Sequence, residues 1–116
     1  MTISVIAEKL GARILSGSGE ALLREVRGGH CGDLLSWVMG KIEAGDIWVT
    51  IMSNPNVAAV AFLSGAACVL LAEGVLPDEG LMSRALDEDI PLMSSEKSAF
   101  ALCGELYGLF AAPQGR

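Results

Sequence analysis

From Ile47 to Ala72 the chain carries no charged side chain. A run of that length raises the question of a membrane span, which takes about 20 consecutive apolar residues. Its interior argues against one. Ser53-Asn54-Pro55-Asn56 is a polar turn sequence and Ser64-Gly65 a second break, so the run divides into pieces of strand and helix length. Asp46 to Ile51 and Ala67 to Ala72 read as strands buried on both faces, with a helix at Asn56 to Leu63 between them. Ile90 to Met93 adds another strand, and helical stretches follow at Asp78 to Asp87 and Glu96 to Phe110. Strands each followed by a helix imply an α/β fold with a mainly parallel sheet, flanked by helices and built from Rossmann-like βα units. Right-handed crossovers then place the post-strand turns along one edge of the sheet.

The first half carries weaker signals. Thr2 caps a helix running through Leu10, with Ile3, Ile6, Ala7 and Leu10 on one face and Gly11 ending it. Arg13 to Leu15 is a short strand. A second extended piece runs from Leu22 to Val26, before a break at Gly28-Gly29. Asp33 is placed to cap a helix that carries Leu34, Leu35, Val38 and Met39 and stops at Gly40. At 116 residues the whole chain, 1–116, suits one compact domain.

Eight basic against fourteen acidic residues give a net charge of -6. That balance opposes non-specific attraction to nucleic acid or to an anionic membrane, since both reward clustered Lys and Arg. The opening MTISVIAEKLGARIL mixes charges and offers no small-residue cleavage signal, so a cytoplasmic protein is expected. The apolar share is 52% and the charged share 19%, more apolar surface than a small sphere easily hides. The last helix has two apolar stripes, one of Phe100, Cys103, Tyr107 and Phe110 and one of Ala99, Leu102, Leu106 and Leu109. The Val57 to Leu63 stretch is apolar all round. Two stripes need two covering surfaces, so a homodimer through one of these helices is expected.

Catalytic machinery is not evident. Cys31, Cys68 and Cys103 are odd in number and widely spaced, without a CxxC pair, which argues against a disulfide framework or a structural zinc. Cys68 and Cys103 lie in apolar surroundings as small core residues, and His30-Cys31 alone supplies too few ligands for a metal. No serine sits in a nucleophile motif with a histidine, and the phosphate-loop and dinucleotide signatures are missing, so no catalytic residue and no cofactor is assigned. Asp87, Glu88 and Asp89 read as a solvated acidic face.

Polar clusters at strand ends are the candidate ligand residues. Thr50, Ser53, Asn54 and Asn56 stand where a buried strand hands over to a helix, a position at which open α/β sheets bind ligands; the alternative is that Asn54 or Ser53 caps the helix and Pro55 stiffens its first turn. Ser94 and Ser95 repeat the arrangement after the last strand. Gly28-Gly29 permits positive φ and exposed amides that suit an anion, or is a plain turn. If these segments share one sheet edge, they line one crevice.

Leu23 to Ser36, followed by Gly45-Asp46-Ile47-Trp48-Val49-Thr50-Ile51 and by the later strand-helix rhythm, resembles the DRTGG domain over nearly the whole chain. Arg24, Gly28 and Gly29 match the name-giving motif, while Leu23 and Arg27 take the places of its acidic residue and threonine. In phosphate acetyltransferases and CBS-domain pyrophosphatases this domain is a regulatory or dimer-forming insert, with catalysis housed elsewhere. The resemblance therefore implies a non-catalytic regulatory or adaptor module, dimerising and binding a small anionic metabolite or nucleotide. A second reading is an interaction subunit that docks a partner enzyme through its apolar last helix, and a third, less favoured, is an enzyme of unfamiliar type.

Overall fold

The computed structural model describes residues 1–111. Five helices and five strands alternate as α1 (Ile3–Leu10), β1 (Arg13–Ser16), β2 (Gly28–Cys31), α2 (Leu35–Lys41), β3 (Asp46–Thr50), α3 (Asn56–Ser64), β4 (Cys68–Leu71), α4 (Glu79–Asp87), β5 (Leu92–Ser94) and α5 (Ala99–Ala111). One sheet holds all five strands in the order β1-β5-β4-β3-β2. From β2 to β5 the neighbours are parallel, and only β1 runs antiparallel, at the edge beside β5. The uncharged run thus becomes β3, α3 and β4, and none of the helices among the described residues is long and apolar enough to cross a membrane.

Because β2 to β5 advance across the sheet in one direction, right-handed crossovers put α2, α3 and α4 on the same face. Packing agrees: Val38, Val57, Ala61 and Leu81 from those helices pack with Trp48, Val69, Leu71 and Leu92. On the other face α1 and α5 bring Ile3, Ile6, Leu10, Leu102 and Leu106 against Ile47, Val49, Cys68, Leu70 and Met93. Every residue of β3 and β4 is buried, as expected for strands covered on both sides. The first helix follows its sequence signals, with the Thr2 hydroxyl accepting from the Val5 amide at 3.3 Å and Gly11 left-handed at φ 67°.

The first half departs from the sequence reading at two places. Leu22 to Val26 is not a strand: Ala21–Leu23 forms a single 3-10 turn, and the second strand is β2, which begins at Gly28. The Gly28-Gly29 pair is therefore no break. It lies in the ladder opposite Asp46 and Ile47 and has no positive φ, so neither the turn nor the anion-cradle geometry applies. Gly28 is small because an added Cβ would stand 3.0 Å from an Asp46 carboxylate oxygen. Asp33, expected to cap α2, instead turns toward β3, and Leu34 occupies the cap position without a side-chain bond.

Several polar groups that tie the fold together are paired. The Ser16 hydroxyl donates to the Ile90 carbonyl at 2.7 Å and accepts from the Leu92 amide at 3.0 Å, which bridges the irregularity between β1 and β5. Ser18 bonds Asp89 through its hydroxyl and amide, and those bonds hold the Asp89 carboxyl below its ordinary value. With Glu88 paired to Arg84 at 2.9 Å, two acids of the expected solvated face have partners.

Trp48 is the largest fully buried side chain, and its indole N-H donates to the Gly32 carbonyl at 2.9 Å. Trp48→Phe removes that donor and leaves a void in the helical face. Denaturant titration should show a loss of about 1–3 kcal/mol, the usual range for an orphaned buried acceptor plus a modest cavity.

Candidate functional site

The parallel strands end along one rim, at Cys31, Thr50, Leu71 and Ser94. Thr50 and Ser94 belong to this rim but stand two strands apart, roughly 10 Å by ordinary strand spacing. Gly28 and Gly29 begin β2 and lie toward the opposite rim, so they do not share a crevice with the other candidates.

At the end of β3 the Thr50 and Asn54 side chains are engaged locally. The Thr50 hydroxyl donates to an Asp33 carboxylate oxygen at 2.7 Å and accepts from the Met52 amide at 3.2 Å. The same Asp33 oxygen accepts from the Ile51 amide at 2.9 Å. Asn54 accepts from the Asn56 amide at 2.9 Å, the capping use weighed for it, and the Ser53 carbonyl accepts from Asp78. Strand order adds a second reason to look elsewhere: β2, β3 and β4 follow each other in one direction, with no reversal at β3.

The reversal comes one strand later. After β4 the chain crosses to α4 on one face of the sheet, and after β5 it crosses to α5 on the other. Connections that diverge in this way leave a crevice outside the strand ends. A cavity of about 310 Å³ opens there, lined by Gly11, Arg13, Gly74, Ser94, Ser95 and Glu96 among others. Arg13 pairs with Ser94 across the β1–β5 ladder, and its guanidinium makes no hydrogen bond or ion pair among the described residues. Ser94 is 7% exposed, lines the cavity, and its hydroxyl likewise has no partner among the described residues. Ser95 is already engaged, its hydroxyl accepting from the Lys97 amide at 3.1 Å. Gly74, left-handed at φ 75°, lines the wall; its neighbour Glu73 is left-handed too, at φ 63°, and the Glu73 carboxylate accepts from the Ala99 amide at 2.9 Å, capping α5. An added Cβ at Gly74 would stand 2.7 Å from a Glu96 carboxylate oxygen, which a shift of that flexible side chain relieves, so the glycine is favoured by its left-handed conformation.

Of the residues singled out from the sequence, Ser94 and Ser95 thus reach a cavity; Thr50, Ser53, Asn54 and Asn56 lie apart from it at the end of β3, with Thr50 bonded to Asp33 and Asn54 to the Asn56 amide. Arg13, Glu96 and Gly74 were missed. Arg13 carries no local signal, because its place depends on a strand pairing between residues far apart in sequence.

With this geometry in view, the comparisons are direct. The DRTGG domain family matches residues 5–107. The chain belongs to the DRTGG family. No curated protein matches it. Among solved structures it is similar to the CBS and DRTGG domains of the regulatory region of Clostridium perfringens pyrophosphatase, complexed with the activator diadenosine tetraphosphate. The TM-score is 0.69 at 13% identity, over 90% of this chain and 47% of that one, so the chain spans about half the length of the relative. That likeness establishes a shared fold.

In this DRTGG domain the motif segment has a structural use. Arg27 lays its aliphatic stem beside Gly45, where an added Cβ would stand 2.9 Å from Arg27 Cδ, and the Arg27 amide donates to the Gly45 carbonyl at 2.9 Å. Gly28 and Gly29 then set β2 against β3. Thr50 has a comparable internal role. Thr50→Val strips Asp33 of one of its two donors, and thermal or denaturant unfolding should register a loss of about 1–2 kcal/mol.

Proposed function

We propose that this DRTGG domain is a regulatory module without catalysis of its own, binding a small anionic metabolite or nucleotide in the β4–β5 crevice and pairing with a second copy. The observation that carries the ligand reading is the unpaired Arg13 guanidinium beside the unpartnered Ser94 hydroxyl in a cavity at diverging strand ends. A planar guanidinium suits a phosphate or carboxylate held by two parallel hydrogen bonds. Glu96 in the same wall accepts hydrogen bonds and repels a bare anion. The pairing favours a ligand with both an anionic group and hydroxyl or amino donors, which describes a nucleotide better than inorganic phosphate. The pyrophosphatase regulatory region complexed with diadenosine tetraphosphate supports the same class.

Thermal-shift screening with nucleotides, acyl phosphates and coenzyme A derivatives tests the reading. A ligand about a hundredfold above its dissociation constant stabilises a fold by about 2.7 kcal/mol, a readily measured shift. Arg13→Ala should abolish that shift while leaving the unliganded midpoint within about 0.5 kcal/mol, as for an exposed surface change. A screen without a responding compound, or a response that survives Arg13→Ala, defeats the site assignment.

Self-association rests on α5. Leu102 and Leu106 face the sheet and are buried, whereas Phe100 and Tyr107 are 90% and 78% exposed on the outer side. Gly104 and Gly108 lie on that helix with nothing near an added Cβ. An apolar face with small residues admits a close second helix, the geometry of a two-fold contact. Light scattering should report about twice the chain mass. Tyr107→Glu should split the dimer and keep the fold; Leu106→Glu should unfold it, since that side chain is core. A monomeric wild type that captures a partner enzyme through α5 would favour the adaptor reading instead.

A further inference from the structure

Cys31 and Cys103 are far apart in sequence, yet the fold brings them together. Cys31 ends β2, the free edge of the sheet, and Gly29 and Cys31 stand in register with Ile47 and Val49, whose side chains face α5. Cys103 lies on α5 and packs against the same apolar cluster. Cys103 lies near enough to the Cys31 thiol to act on its ionisation. Both line a second cavity, about 240 Å³, with Gly29, Val49, Tyr107 and Phe110. Neither is fully buried, whereas Cys68 is sealed in the core. Among the described residues no group of three His, Cys, Asp or Glu gathers here to hold a metal, so two neighbouring thiols with access to solvent are the reactive pair present.

We propose that Cys31 and Cys103 are a redox pair, oxidised by low-molecular-weight disulfides to an intramolecular bond that ties α5 to the edge strand. The Cys31 thiolate attacks one sulfur of the small disulfide, forming a mixed disulfide and releasing the first small thiolate. Cys103, deprotonated in turn, attacks the Cys31 sulfur and expels the second. The two protein protons end on the two released thiols, so one disulfide is reduced as one is formed. Loss of hydration against α5, followed by the neighbouring Cys103 thiol, pushes the Cys31 thiol up to about 11. Only the thiolate reacts, so the first step is slow near neutrality and rises about tenfold per pH unit until the thiol ionises. The bond closes a long loop, which favours the folded chain.

The test uses the full chain and glutathione disulfide as the probe, followed by non-reducing mass spectrometry and peptide mapping. Wild type should lose two hydrogens in mass with a cross-link between the Cys31 and Cys103 peptides, and its thermal midpoint should rise by roughly 10 °C, reversed by dithiothreitol. Cys103→Ser should stop at a glutathione adduct on Cys31, and Cys31→Ser should form no intramolecular bond. The formation rate should climb about a hundredfold from pH 7 to pH 9. A wild-type chain that stops at the mixed disulfide, or that links two chains through Cys31, overturns the proposal.

Discussion

Burial of β3 and β4 on both faces is the constraint from which the remaining architecture follows. A strand whose alternate residues are all apolar has no face to give to water, so helices must cover each side. Trp48, Val69 and Leu71 call for one helical layer; Ile47, Val49, Cys68 and Leu70 call for another. Three crossovers of one hand fill the first layer with α2, α3 and α4, which leaves the second to the helices nearest the two ends of the described chain. The crevice arises from this division. Consecutive connections part only after β4 and β5, where the chain passes from filling one layer to filling the other.

How much of this was legible in the sequence depended on how local the cause was. The strand-helix-strand reading of Ile47 to Ala72 held because apolar continuity and a Ser-Asn-Pro-Asn turn are signals carried by neighbouring residues. Thr2 and Gly11 fixed α1 for the same reason. Gly28-Gly29 misled: glycine pairs usually mark turns, but here the space a side chain would need is already taken by Asp46 and Ile47 on the adjoining strand. Asp33 sat where a cap belongs and was drawn instead to the Thr50 hydroxyl, a competitor that only tertiary structure supplies. Cys103 read as a core residue because nothing nearby in sequence announces Cys31 beside it.

The polar groups at the strand ends separate by whether their bonding capacity is spent. Thr50 and Asn54 have the residue types of a binding site, yet their oxygens are committed to amides and a carboxylate of the same rim. The α5 amino end, an inviting place for an anion, is occupied by Glu73. Arg13 and Ser94 are uncommitted, line the cavity and stand side by side on β1 and β5. Unspent donors in a concave place are a better guide to recognition than residue type alone.

That side-by-side placement ties recognition to the kinetics of folding. The strands from β2 to β5 join through short-range βα steps, each closing a modest loop, whereas Arg13 meets Ser94 only by bringing together distant parts of the chain. Loop-closure entropy makes this the slowest pairing to be rewarded among those in the sheet. A partly folded chain with a complete parallel core therefore lacks the Arg13–Ser94 wall, and any occupant of the crevice holds shut the longest-range strand pairing in the sheet.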